Sequence, residues 1–228
     1  MIANKKLFFK GFLLLAAFLV VLFAMFMPLF NEGNALNYMD NLYNSISKGS
    51  AYYIPGLQEE NKAYRNTPVQ ATLALAGKRQ AEETALLFEK SGATVTQTDT
   101  GIAVNGDLGA ILANCLADSD IMFHNQGAQL REKYGYGERQ ALFNWWTALN
   151  KMDMALKKQE MFKEAKFAGD VNQRAVECAY NFYEITPQKI TDKIGIVIFS
   201  LVFYVIYTLW FGFSIMFMFE GWGMRLEH

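Results

Sequence analysis

The sequence predicts a mainly α protein in which two transmembrane helices, N-terminal and C-terminal, flank one extramembrane helical domain with a short β-hairpin. Three observations lead there. Leu7 to Phe30 reads LFFKGFLLLAAFLVVLFAMFMPLF, and Ile194 to Phe219 reads IGIVIFSLVFYVIYTLWFGFSIMFMF. Each exceeds the roughly 20 apolar residues that cross a ~30 Å hydrocarbon layer as a helix. The polar stretch between them has apolar residues mostly at helical spacing. Lys10 is the one charge within the spans, close enough to an end to snorkel.

The expected organisation is a cytoplasmic N-terminus (1–6), a first span (7–30), an extracytoplasmic domain (31–193), a second span (194–219), a cytoplasmic C-terminus (220–225) and a tag remnant (226–228). Lys5 and Lys6 precede the first span and Lys10 lies near its start, while Asn31-Glu32-Gly33-Asn34 follows it. The positive-inside rule then puts the N-terminus in the cytoplasm. Two spans return Arg225 to the same side and leave the middle domain periplasmic or extracellular, as expected of an inner (plasma) membrane protein of a bacterium. Lys189 and Lys193 oppose this orientation. A cleaved signal peptide competes with an anchor, and Gly33-Asn34-Ala35 offers a small-x-small site. The apolar run from Gly11 to Phe30 exceeds an ordinary signal h-region, so a retained anchor is expected. Leu226-Glu227-His228 reads as the stub of an expression tag, which leaves His124 as the native histidine.

Leu36, Met39, Leu42, Tyr43 and Ile46 mark a helix that Ser47-Lys48-Gly49-Ser50 ends, with Pro28 as a kink point if it continues from the first span. Tyr52 to Gly56 reads as an extended piece and a turn. Pro68 to Lys90 is expected to be helical, capped by Thr67 with Pro68 in its first turn. Thr94-Val95-Thr96 and Ile102-Ala103-Val104 flank a turn and predict the hairpin. Two strands alone are marginal, so the hairpin must lie on helices or join a neighbour.

Asp107 opens a helix with Leu108, Ile111, Leu112, Cys115 and Leu116 on one face. A further helical piece is expected from Asn125 to Lys133, interrupted by Tyr134-Gly135-Tyr136-Gly137. Glu138 to Ala168 reads as one long helix with a seam of Leu142, Trp145, Leu149, Met152 and Leu156. Gly169-Asp170 marks a break, and Val171 to Glu184 the last extramembrane helix. Thr186-Pro187 is expected to cap the second span.

The chain carries 21 basic and 22 acidic residues, and residues 31–193 hold 17 and 20. No basic patch forms, so nucleic acid is not an expected partner. The expected partners are membrane lipid and either copies of the chain or other membrane proteins. No catalytic, cofactor or metal site is expected. Asp120 and His124 are four apart, but a stable metal site needs more ligands. No nucleophile elbow, P-loop or dinucleotide fingerprint accompanies His124. Gly135-Tyr136-Gly137 sits among charges, unlike a potassium filter. Glu59-Glu60 and Glu82-Glu83 lie on solvated stretches. Consecutive methionines such as Met216 and Met218 cannot share an ion on a helix.

Two constellations remain. Cys115 and Cys178, both on expected buried faces in an oxidising compartment, are either a disulfide or two buried thiols. Ser200, Tyr204, Thr208 and Gly212 recur every four residues on the second span, and Thr208 with Gly212 forms a small-xxx-small pair. That stripe serves packing of the two spans on each other, packing between subunits, or a water path. The expected function is therefore a non-enzymatic structural or assembly role as a homo-oligomeric scaffold or part of a membrane complex. The alternative is a homo-oligomeric two-span channel or pore subunit.

Overall fold

A computed structural model describes residues 2–28 and 33–224. Glu32 and Arg225 of the charge argument, and the tag-like 226–228, lie outside the described residues. The chain is mostly helical and divides into two compact units, Met1–Ile46 with Pro187–His228, and Ser47–Thr186.

The first unit is built on two apolar helices, α1 (Lys5–Phe26) and α10 (Ile190–Trp222), together with the first turns of α2 (Ala35–Ser50). At 1.5 Å per residue, the 22 residues of α1 extend about 33 Å and the 33 of α10 about 50 Å. Both are long and apolar enough to cross a membrane, and few of their residues are buried in the protein itself. Asn4 caps α1 through its side chain. The α10 helix starts at Ile190, after Lys189, so Thr186 does not cap it.

The second unit packs helices on one face of a three-stranded antiparallel sheet. The hairpin is present as β2 (Thr94–Thr98) and β3 (Gly101–Asp107). It finds its neighbour within the chain, because β1 (Pro68–Ala74) pairs with β3 and gives the order β1-β3-β2. This corrects the helix expected from Pro68. Val69, Ala71 and Leu73 turn inward at alternate positions, and Pro68 is tolerated because β1 is an edge strand. The helical part of that segment is only α4 (Lys78–Glu89).

Four other boundaries differ from expectation, the first being that α2 continues through Ser47-Lys48-Gly49-Ser50, the residues expected to end it. Tyr52 to Gly56 is not a turn, since α3 (Ile54–Asn61) begins there with Pro55 in its first turn. The long helix divides into α7 (Glu138–Lys158) and α8 (Phe162–Val171), with Glu160 at φ +63° between them. Gly169 makes no break: α8 runs into a π-helical segment, Asn172–Glu177, and then α9 (Cys178–Phe182). The helices α5 (Leu108–Phe123) and α6 (Ala128–Tyr134) fall close to their expected places. Asp107 accepts the Gly109 N–H as the α5 cap, and Gly135 ends α6 in the left-handed region at φ +76°.

The core follows the expected seams. Leu142, Trp145, Leu149, Met152 and Leu156 of α7 are fully buried, as are Leu108, Ile111, Leu112, Cys115 and Leu116 of α5. Phe88 of α4 meets Trp145 edge-on at 5.5 Å. The other face of the sheet, with Gln70, Thr72 and Thr96, is open to solvent.

Candidate functional site

The site is built on α10, and α1 defines it by what it covers. The two helices run antiparallel. The Asn4 N–H donates to the Gly221 carbonyl at 2.9 Å, and the Trp210 indole N–H donates to the Leu14 carbonyl at 3.0 Å. Glycines allow the close approach. A Cβ on Gly11 would stand 2.7 Å from both the Met218 nitrogen and the Ser214 oxygen, and one on Gly221 would strike the Phe8 backbone. Phe18 stacks on Tyr207 at 4.3 Å and touches Trp210 and Phe211. The face of α10 turned to α1 is thus Tyr207, Trp210, Phe211, Ser214, Met218 and Gly221.

That face is not the predicted stripe, so the idea that one stripe serves either pairing is corrected. The Ser200 hydroxyl donates to the Val197 carbonyl at 2.8 Å and meets the Tyr43 hydroxyl of α2 at 2.5 Å. With the serine proton committed to Val197, Tyr43 is the donor. Tyr204 is 67% exposed. The Thr208 hydroxyl returns to the Tyr204 carbonyl at 2.7 Å. A Cβ on Gly212 would meet nothing within 4 Å. Ser200, Tyr204 and Thr208 line one apolar groove of about 550 Å³, together with Phe18, Met39, Tyr43, Tyr207 and Phe211; Gly212 lies beyond it. The Tyr207 hydroxyl is buried and has no hydrogen-bond partner among the described residues.

Both cysteines are free thiols. Cys115 is fully buried in α5, where desolvation and then Asp118 push its pKa far up. Cys178 is half-buried, and desolvation followed by Glu177 raises it less. His124 is exposed and stands 3.2 Å from Asp120. Among the described residues, no three His, Cys, Asp or Glu side chains gather as metal ligands. Glu82 is exposed, but Glu83 is nearly buried and accepts from Arg79 at 2.8 Å and Asn144 at 3.1 Å.

Two buried polar groups had no sequence signal. Asp118 accepts from Lys133 at 2.6 Å, Tyr134 at 2.5 Å and the Trp145 indole at 2.8 Å. Burial and the Asp118 charge drive the Tyr134 phenol strongly upward. Lys48 is 2% exposed and donates to Asn125 Oδ1 and to the carbonyls of Phe182 and Ile185, at 3.1, 3.0 and 2.7 Å. Desolvation lowers its pKa. Nearby, Tyr52 donates to Asp120 at 2.6 Å, and burial followed by that bond pushes its phenol up to about 12.

No protein-family model, no curated protein and no solved structure matches this chain.

Proposed function

We propose that the protein is a non-enzymatic, membrane-anchored assembly subunit that associates with copies of itself through α10. Its two apolar helices hold it in an inner (plasma) membrane with both ends cytoplasmic, and the domain between them works in the periplasm or outside the cell. The antiparallel course of α1 and α10 supports placing both ends on one side. The observation that carries the association is the division of α10 into two faces. The small residues Ser214 and Gly221 are already closed by α1, while Thr208 and Gly212, a small-xxx-small pair, are exposed. The first helix therefore satisfies itself without using the second face.

Packing fits that face better than a water path. The hydroxyls of Ser200 and Thr208 are bonded to carbonyls of their own helix, and the groove beside them is walled by aromatic and aliphatic side chains. Mass measurement of the full chain in mild detergent tests the proposal. The wild type should be a discrete oligomer, and Gly212→Leu should shift it towards monomer while keeping the helical content. A monomeric wild type, or a Gly212→Leu variant with unchanged mass, overturns it. Ion flux in liposomes that Thr208→Trp abolishes without altering assembly would replace it by a pore.

A further inference from the structure

An unassigned cleft lies in the Ser47–Thr186 unit, between α7 and the π-helical segment. It encloses about 360 Å³, within the usual range for a small-ligand site. Phe143, Trp146 and Tyr180 form its aromatic walls and Leu142 and Val176 its aliphatic floor, with Glu177 and Asn181 as its polar groups. Each of the three aromatic residues is more than a third exposed. The Phe143 and Trp146 rings are close to parallel at 6.0 Å.

The carboxylate is fixed. The Trp146 indole N–H donates to Glu177 Oε1 at 2.8 Å, so the charge stands beside the ring. No lysine or arginine lines the cleft. Arg139 stands over the Tyr180 ring at 5.8 Å and is paired with Glu184 at 2.8 Å, so it is already neutralised by a carboxylate of its own. The geometry holding Glu177 comes from the π segment, a rare device that recurs at functional sites. The same segment places Asn172 to donate to the Trp146 carbonyl at 3.2 Å, bracing the aromatic wall.

Three π faces, one carboxylate and an aliphatic floor complement a cation that is weakly hydrated and covered in methyl groups. A sodium ion or primary ammonium would have to surrender strong hydration against Leu142 and Val176. A sugar would need more converging polar groups than Glu177, Asn181 and the Tyr180 hydroxyl provide. We propose that this cleft binds a quaternary ammonium group of the choline class, through cation–π contact with Trp146, Phe143 and Tyr180 and charge pairing with Glu177. The group arrives either as a free solute or as the head of a phospholipid.

Calorimetric titration of the full chain in a polyoxyethylene detergent, which carries no choline, tests this. Choline chloride should saturate one site at millimolar concentration or below. Its neutral isostere 3,3-dimethylbutanol should bind about tenfold weaker or worse, because it lacks the charge. Glu177→Gln should weaken choline by a similar factor, since glutamine can still accept the Trp146 N–H and only the charge is lost. Trp146→Leu should abolish saturation. Tighter binding of dihexanoyl-phosphatidylcholine below its micelle concentration would identify the lipid source, and tighter binding of free choline the solute. No saturation by choline up to ~100 mM, equal binding of the neutral isostere, an unchanged Glu177→Gln variant, or saturation by glucose instead overturns the proposal.

Discussion

Asp118→Ala should be among the most damaging single changes in the Ser47–Thr186 unit. The carboxylate is wholly buried and takes three donors from two other helices: Lys133 and Tyr134 of α6 and Trp145 of α7. Alanine leaves the Trp145 indole N–H with no acceptor in a dry core and strips the Tyr134 hydroxyl of its proton acceptor. An orphaned buried donor costs about 1–3 kcal/mol, and breaking a buried ion pair by deleting one partner costs about 3–5 kcal/mol. These losses overlap. Lys133 is also 28% exposed and can turn to water, which lowers its share. A net loss of about 4 kcal/mol follows. For a unit of about 140 residues that is a fall in Tm of roughly 12–16 °C. Near-ultraviolet circular dichroism of the full chain, heated in one fixed detergent, reads it through Trp145. Asp118→Asn, which keeps the shape and one acceptor, should lose about half as much. A drop below about 4 °C for the alanine variant would show that water or a rotated Lys133 replaces the carboxylate, and the hub assignment would be refuted.

Gly11→Leu should disrupt the α1–α10 pair by at least ~2 kcal/mol, since its side chain meets backbone that cannot yield, whereas Gly212→Leu should leave the single chain's stability unchanged; thermal unfolding in detergent compares them. Glu138 is held below the usual carboxylate range by its own backbone N–H at the start of α7 and then by Arg131. Its stabilising contribution is therefore complete above the ordinary carboxylate pKa and lost as pH falls through the depressed folded value, so Glu138→Gln should flatten the acid side of a stability-against-pH curve below the ordinary carboxylate pKa of about 4. Lys48→Met should cost about 1–3 kcal/mol at pH 7, because three charge-assisted bonds are lost, although Asn125 Oδ1 and the carbonyls of Phe182 and Ile185 each keep a second donor, as measured by denaturant unfolding. Native protein at pH 8 should take up maleimide at Cys178 slowly and at Cys115 only after unfolding; two adducts on unreduced, denatured protein confirm free thiols by mass spectrometry, and none would reveal a bridge.

What could be read from the chain depended on where the deciding interaction lay. The seams of α5 and α7 were legible because each helix writes its buried face at three- and four-residue intervals. β1 was not. Leu73, Leu75 and Ala76 suit a helical face and are good helix formers, but pairing of Val69 with Gly106 and Leu73 with Ile102 prevails, and those partners lie 37 and 29 residues on. The break after α7 falls in Lys158-Gln159-Glu160-Met161, with neither glycine nor proline, so no local breaker announces it. Gly169, a plausible breaker, sits in helical continuity because nothing there requires a positive φ. The Asp118 hub draws on α5, α6 and α7 and has no linear signature. The stripe on α10 was readable from its spacing, but the face that meets α1 was not. Nearly every position on α10 is apolar, and only Ser214, Gly221 and the distant Gly11 mark the contact.

The geometry of an α-helix explains why those two faces do not compete. At about 100° per residue, Gly212 and Ser214 lie roughly 160° apart around α10. A helix approaching Thr208 and Gly212 therefore comes from nearly the opposite side to α1. Spacing of four advances each stripe residue by about 40°, so the stripe starts nearer the α1 side at Ser200 and drifts away from it towards Gly212. Its two ends have different neighbours as a result. At the Ser200 end the Tyr43 hydroxyl is already bonded, and α2 lines the groove through Leu36, Met39 and Tyr43. At the Gly212 end no described atom lies within 4 Å of where a Cβ would stand. A second copy of the chain would have to be received at the Thr208–Gly212 end, where backbone can come close.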